Sequence, residues 1–115
     1  MNKLALGTVQ FGLDYGVSST TGKVKPEEVG KILNYAHSAG ISLLDVAPAY
    51  GNSEKVLGNA NVDRFKVVTK TRHFDSFEIN NKDVELLRKD FACSLLDLKQ
   101  NSVYGVLVHN ADDLL

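Results

Sequence analysis

The sequence has one cysteine, no excess of either charge and no long apolar run, and each of these shortages excludes a class of protein. The single cysteine, Cys93, cannot form an internal disulfide, which fits a reducing compartment and makes the cytoplasm the expected location. Thirteen basic residues balance fourteen acidic ones, so a nucleic-acid partner gains no support. No segment is apolar over the length of a membrane span, and no membrane association is expected.

Ligand-binding fingerprints of the common kinds are also missing. One cysteine and three scattered histidines do not have the spacing of metal ligands, so no metal site is expected. Residues 7–12, G-T-V-Q-F-G, do not match the G-x-G-x-x-G spacing of dinucleotide-binding sheets, and there is no P-loop. Any nucleotide site must therefore be built in another way.

What the sequence does contain is an alternation of strand-like and helix-like segments. Short runs rich in Val, Ile, Leu and aromatics predict buried strands at 4–9, 41–46, 65–69 and 104–108. Their nearly continuous apolar character is typical of parallel strands covered on both faces. Helical spacing of apolar residues predicts helices from Pro26 to the stop at Gly40, from an N-cap at Ser53, and over 82–99.

The order strand, helix, strand, helix predicts an α/β fold of right-handed crossover units on a parallel sheet. Half of an eight-stranded barrel and a small doubly wound sheet both satisfy this order. The missing nucleotide fingerprints favour the barrel. We therefore expect residues 1–115 to form a single partial domain, the N-terminal half of a (β/α)8 TIM barrel, with about four parallel strands and three intervening helices.

Four polar residues stand at or just beyond the C-terminal ends of predicted strands: Asp45, Tyr50, Lys70 and His109. Catalytic residues of parallel barrels lie on that rim, so these four could meet in one pocket. An unperturbed phenol has a pKa near ~10 and needs a close positive charge to stabilise its anion. A lysine could supply that charge, an aspartate could hold the lysine, and a histidine could orient a carbonyl oxygen.

These groups suit the reduction of an aldehyde or ketone, for which a nicotinamide cofactor is the natural hydride source. Taken singly, each residue could instead be a turn cap, a packing aromatic, a snorkelling lysine or a hydrogen-bonded loop histidine. The set of four favours the functional interpretation. The loop after the first strand would border the substrate pocket, and Phe11 and Tyr15 are the predicted substrate-wall residues.

The chain resembles the N-terminal half of the aldo-keto reductase family. The strongest match is the block D-x-A-x-x-Y-G at residues 45–51, followed by Ser53-Glu54 and Leu57-Gly58. Weaker matches, in family order, lie at 4–12, 67–71 and 107–110. Together these segments span nearly the whole chain.

The resemblance implies roles for the rim residues. Tyr50 would donate a proton to the carbonyl, and Lys70 would tune the pKa of Tyr50. Asp45 would anchor Lys70, and His109 would orient the substrate. The implied cofactor is NADPH, with NADH possible in some members. Gly7, Thr8, Asp45 and Asn110 match positions near its nicotinamide end.

Length is the main departure from the family, because a complete barrel needs about 250 residues. Residues 111–115 have the pattern of the first turn of a fourth helix, so the sequence is expected to be a piece of a longer reductase. The missing half would carry the loops that hold the adenosine and phosphate end of the cofactor. The alternative is a non-catalytic half-barrel that self-associates through exposed sheet edges or serves as a binding module.

Overall fold

The computed structural model describes residues 3–13, 22–74 and 78–114. They contain four strands, β1 (Ala5–Gly7), β2 (Leu43–Asp45), β3 (Lys66–Lys70) and β4 (Gly105–Leu107). All neighbouring strands pair in parallel, in the order β1-β2-β3-β4. Three α-helices connect them: α1 (Pro26–Ser38), α2 (Ser53–Ala60) and α3 (Asn81–Leu98).

This topology agrees with a partial barrel and not with a doubly wound sheet. The strand order follows the chain without reversal. Neighbouring helices pack against each other, α1 on α2 and α2 on α3, as a single outer layer requires. A doubly wound sheet would place helices on both faces and reverse the strand order at a switch point.

Side chains alternate between the two faces of the sheet along each strand, and this alternation explains which face is buried. Leu44, Val67 and Thr69 are at most 3% exposed, whereas Asp45 and Lys70 on the opposite face are partly exposed. Successive side chains of a strand point to opposite faces, so the buried set faces the helices. Among the described residues, only the helix-facing side of the sheet is covered, and the side that carries Asp45 and Lys70 is partly exposed.

The strands are shorter than predicted at several ends. β1 ends at Gly7, and the chain turns into a 3-10 turn, Val9–Phe11, where a strand was expected up to residue 9. Thr8 still bonds to the Asp45 carbonyl, through its N–H at 3.2 Å and its hydroxyl at 2.8 Å, and the turn then closes with a bond from the Phe11 N–H to the Thr8 carbonyl oxygen at 3.0 Å. The early end of β1 matters because the 3-10 turn then carries the following residues across the end of the sheet.

Helix boundaries follow ordinary capping chemistry with one exception. α1 begins at Pro26 as predicted, and Gly40, with φ +86°, follows its end. α3 opens with a capping box between Asn80 and Asp83. The predicted N-cap of α2 is wrong: Asn52 occupies that position, and Ser53 is the first helical residue.

The core lies between the sheet and the helices. Its fully buried members come from α1, β2, α2, α3 and the segments that follow β2 and α2: Val29, Leu33, Leu44, Val46, Leu57, Val62 and Leu98. The apolar residues of α3, whose spacing predicted the helix, are only partly inside, since Val84 and Phe91 are 39% and 37% exposed. The C-terminal end of α3 approaches α2 at Gly58, where a Cβ would lie 1.9 Å from the Asp97 carbonyl oxygen.

Candidate active site

Sheet register brings Asp45 and Lys70 to the same face. Asp45 pairs with Val68 across β2 and β3, and Lys70 lies two residues further along β3. A two-residue step preserves the face in a strand, so both side chains leave the sheet on the side away from the helices. Both also stand at the C-terminal ends of their strands, where barrel enzymes place their chemistry.

Lys70 is the central cation of this site. Its ammonium contacts the Asp45 carboxylate and donates a hydrogen bond to the Val46 carbonyl oxygen at 2.8 Å. The Lys70 side chain is 12% exposed and the Asp45 side chain 47% exposed. Desolvating an ammonium is costly unless it is paired, so Asp45 supplies the charge that lets Lys70 stay in place.

Tyr50 lies beside this pair, on the loop between β2 and α2. The Lys70 Nζ stands over the Tyr50 ring, 4.9 Å from its centroid. The His109 ring meets the Tyr50 ring edge to face, with centroids 6.0 Å apart and planes at 80°. The structure thus brings together all four residues that were predicted to be catalytic.

Close backbone packing fixes the loop that carries Tyr50. A Cβ at Gly12 would lie 1.8 Å from the Tyr50 carbonyl oxygen, so only glycine allows this approach. Gly51 has φ +61° and faces Gly12 from the other side. The turn after β1 and the Tyr50 loop are therefore pressed together without room for a side chain at either glycine.

Hydroxyl groups tie the same loop to the strand ends. The Ser53 hydroxyl donates to the Thr8 carbonyl oxygen at 2.9 Å and lies 3.2 Å from the Thr8 hydroxyl oxygen. Thr8 in turn bonds to the carbonyl of Asp45. Both Thr8 and Ser53 are fully buried. Thr8, predicted to contact cofactor, thus holds the ends of β1 and β2 together through its hydroxyl.

A cleft of about 320 Å³ opens in front of Tyr50 and His109, lined also by Val9, Leu13 and Ala49. Its walls are apolar and its polar groups few, as is typical of small-molecule sites. Phe11, predicted on the substrate wall, is 4% exposed and belongs to the core instead. The 3-10 turn directs Phe11 inward. The other predicted wall residue, Tyr15, lies outside the described residues.

The remaining predicted cofactor residues stand on the same rim. Gly7 has no heavy atom within 4 Å of where a Cβ would be, so the space above β1 is open. The Asn110 side-chain nitrogen lies 2.9 Å from His73 Nδ1, and its oxygen accepts from the Asp112 N–H at 3.0 Å. The backbone N–H of His109 donates to the Thr71 hydroxyl at 3.3 Å, which holds the end of β4 against β3.

A buried carboxylate that the sequence did not reveal lies behind the site. Glu54, in the first turn of α2, is 5% exposed and accepts hydrogen bonds from the hydroxyls of Thr69 and Ser94, both at 2.8 Å. Desolvation is the main cause that raises the pKa of Glu54, and the two hydroxyl bonds oppose the shift. The hydroxyl at Thr69, on the helix-facing side of β3, was the one signal that could have pointed to it.

Arg72, just beyond β3, forms an ion pair with Asp90. It donates two parallel hydrogen bonds to the Asp90 carboxylate, at 2.5 and 2.7 Å. These bonds raise the pKa of Arg72. The two cations at this end of β3, Lys70 and Arg72, are thus both paired with carboxylates.

Metal clusters and membrane spans are both absent from residues 3–13, 22–74 and 78–114. These ranges contain no group of three or more His, Cys, Asp or Glu side chains arranged to hold a metal ion. No helix within them is long and apolar enough to cross a membrane.

The described residues thus form a partial parallel barrel with Asp45, Tyr50, Lys70 and His109 gathered at its strand ends. The sequence matches the model of the aldo/keto reductase family over residues 3–114, and the chain belongs to that family. No curated protein sequence matches it.

Solved structures agree with this assignment. Two structures from Pseudomonas aeruginosa described as aldo-keto reductases are 32% and 31% identical, with TM-scores of 0.73 and 0.74 over 93% of this chain. An aldose reductase from Giardia lamblia, 20% identical with a TM-score of 0.57 over 87% of this chain and 34% of its own, shares the fold. The chain spans 42% and 41% of the length of the two Pseudomonas proteins.

Proposed function

We propose that this chain carries the proton-donating half of an enzyme that reduces an aldehyde or ketone to an alcohol with NADPH, or NADH, as the hydride donor. The observation that carries the proposal is the position of Lys70, paired with Asp45 and standing over the ring of Tyr50. Membership of the family supports an oxidoreductase function. The substrate class proposed is a small carbonyl compound that fits the cleft at Tyr50.

The described residues fit the nicotinamide end of such a cofactor. The space above Gly7 is open, and Asp45 and Asn110 place a carboxylate and an amide on the same rim. These are the polar groups that could hold a carboxamide. The bound cofactor would supply a hydride to the carbonyl carbon.

The protein's own contribution is the proton and its placement. Tyr50 would donate its phenolic proton to the carbonyl oxygen as negative charge develops there. The Lys70 ammonium would stabilise the resulting phenolate, and Asp45 would keep the ammonium in position. His109, whose ring meets the Tyr50 ring, would donate a hydrogen bond to the same carbonyl oxygen. The apolar walls of the cleft would limit access of water.

Carbonyl-dependent loss of NADPH absorbance tests this proposal. Tyr50→Phe removes the proton donor and keeps the ring, so we expect a loss of at least about 100-fold in kcat. Tyr35→Phe is the matched control, because Tyr35 is 77% exposed on α1 and does not line the cleft. Equal rates for wild type and Tyr50→Phe would contradict the proposal.

A second candidate function is self-association, supported by the apolar edge of the sheet. The exposed apolar residues at the end of β4 and just after it are Val106, Leu107 and Val108, at 45%, 54% and 42%. Among the described residues, no strand pairs with the outer edge of β4 or of β1. A closed barrel of this type has eight parallel strands, and two copies of this sheet provide that number. We propose a second copy as the partner. The mass in solution tests it: a monomer at all concentrations would exclude it.

We also propose the cytoplasm as the location. The support is the single cysteine, which forms no internal disulfide and needs no oxidising compartment.

A further inference from the structure

The buried Glu54 has no part in the proposed chemistry, yet it lies between the elements that carry the reacting groups. It belongs to the first turn of α2, and its two carboxylate oxygens each accept one hydroxyl: Thr69 of β3 on one side, Ser94 of α3 on the other. Thr69 and Ser94 are 1% and 2% exposed. Such a buried, fully bonded network holds its members in one arrangement.

Thr69 links this network to Lys70. The two residues are adjacent on β3, and their side chains leave opposite faces of the strand. A bond that fixes the Thr69 hydroxyl on the helix side therefore fixes the peptide from which the Lys70 side chain departs on the cleft side.

The same turn of α2 holds the Tyr50 loop. The Ser53 N–H donates to the Tyr50 carbonyl oxygen at 3.1 Å, and the Ser53 hydroxyl bonds to Thr8. One helical turn thus anchors the tyrosine loop through Ser53 and the lysine strand through Glu54. The two residues next to these anchors, Lys70 and Tyr50, meet with the Lys70 Nζ 4.9 Å from the Tyr50 ring centroid.

We infer that Glu54 is a positioning residue that, through the Thr69 hydroxyl, sets the contact between Lys70 and Tyr50. The inference deepens the proposed function and rests on it for its catalytic meaning. It assigns Glu54 a role from behind the sheet, with no contact to substrate or cofactor. It also predicts that the two hydroxyl partners of Glu54 are unequal, because only Thr69 adjoins a reacting group.

The test is a solution NMR measurement on the full chain with labelled lysine and tyrosine. It records cross-relaxation between Lys70 side-chain protons and Tyr50 ring protons, and the ring-current displacement of the Lys70 signal. In Glu54→Ala we expect roughly half or more of both to be lost, because the amine leaves the ring face. Glu54→Gln retains an acceptor and a donor for the two hydroxyls and should restore both signals.

Two further variants separate positioning from general loosening. Thr69→Val removes the link to β3 and should lose the Lys70 signals as Glu54→Ala does, even if Glu54→Ala fails to fold. Ser94→Ala removes the bond to the other carboxylate oxygen and should keep them. The inference is overturned if Ser94→Ala loses as much signal as Thr69→Val, or if Thr69→Val keeps the wild-type contact.

The readout is a contact and not a rate, so it is independent of turnover. A wild-type chain that shows the contact and reduces no carbonyl would count against the proposed reaction alone. A wild-type chain without the Lys70–Tyr50 contact would overturn the positioning role.

Discussion

At the scale of single residues, the site depends on an unequal ion pair. Lys70 is largely buried and Asp45 is about half exposed, so the two partners respond differently to removal of the other. Lys70 without Asp45 would be a poorly hydrated ammonium with one carbonyl acceptor, at Val46. Asp45 without Lys70 would still reach water.

This inequality predicts unequal losses of stability. Asp45→Asn should lower the free energy of unfolding by about 1–2 kcal/mol, since it leaves a mostly buried charge unpaired. Lys70→Met, which keeps the length of the side chain and removes the charge, should cost less than about 1 kcal/mol. Urea unfolding of both variants measures the difference. A larger loss for Lys70→Met would contradict this description of the pair.

Glu54 gives the second prediction at this scale. Burial raises its pKa, so over a pH window above the ordinary carboxyl value the folded chain retains a proton that the unfolded chain has released. The folded state then binds more protons than the unfolded state, and stability falls as pH rises through that window. Glu54→Gln has no such titration.

The stability of wild type relative to Glu54→Gln should therefore fall between about pH 4 and about pH 8. Free energies of unfolding of the two proteins at both pH values provide the comparison. Most other titrating groups are common to both chains and largely cancel. A difference that stays constant or rises with pH would show that burial does not control this carboxyl group.

Sequence reasoning at the residue scale identified the residues at strand ends but not those behind them. Asp45, Tyr50, Lys70 and His109 form one cluster, as predicted from their positions after the strands. Ser53 and Glu54 at a helix start are typical of a cap and of a surface charge near the helix dipole. Their actual partners, Thr8, Thr69 and Ser94, come from distant segments, and such tertiary bonds leave no local pattern.

At the scale of secondary-structure elements, the first turn of α2 joins several parts of the site. It contacts the end of β1 through Ser53 and both β3 and α3 through Glu54. The order and type of the elements followed from hydrophobic runs and spacing. The end of β1 did not, because the apolar residue Val9 suits a strand and a 3-10 turn equally.

The close approach of α2 and α3 predicts opposite outcomes for two glycines in helices. Gly58→Ala would place a Cβ 1.9 Å from the Asp97 carbonyl oxygen and should destabilise the chain by about 1–3 kcal/mol. Gly30→Ala on α1 meets nothing within 4 Å and should stabilise it by about 0.5–1 kcal/mol. Thermal and urea unfolding measure both. A neutral Gly58→Ala would mean that the two helices can separate at little cost.

At the scale of the whole molecule, burial is one-sided. The helix-facing side of the sheet is sealed, and the other side carries Asp45, Lys70 and the cleft at Tyr50. The sequence predicted this architecture correctly as half of a barrel, since strand order and crossover units follow from general rules.

The central claim is that Tyr50 and Lys70 act as one proton-donating unit. A double-mutant cycle on carbonyl-dependent NADPH oxidation, with Tyr50→Phe, Lys70→Met and the double variant, tests it most directly. Residues that act as a unit are strongly non-additive, so we predict that the double variant is no slower than Tyr50→Phe alone. If the double variant's loss equals the product of the two single losses, Tyr50 and Lys70 act independently and the claim is contradicted.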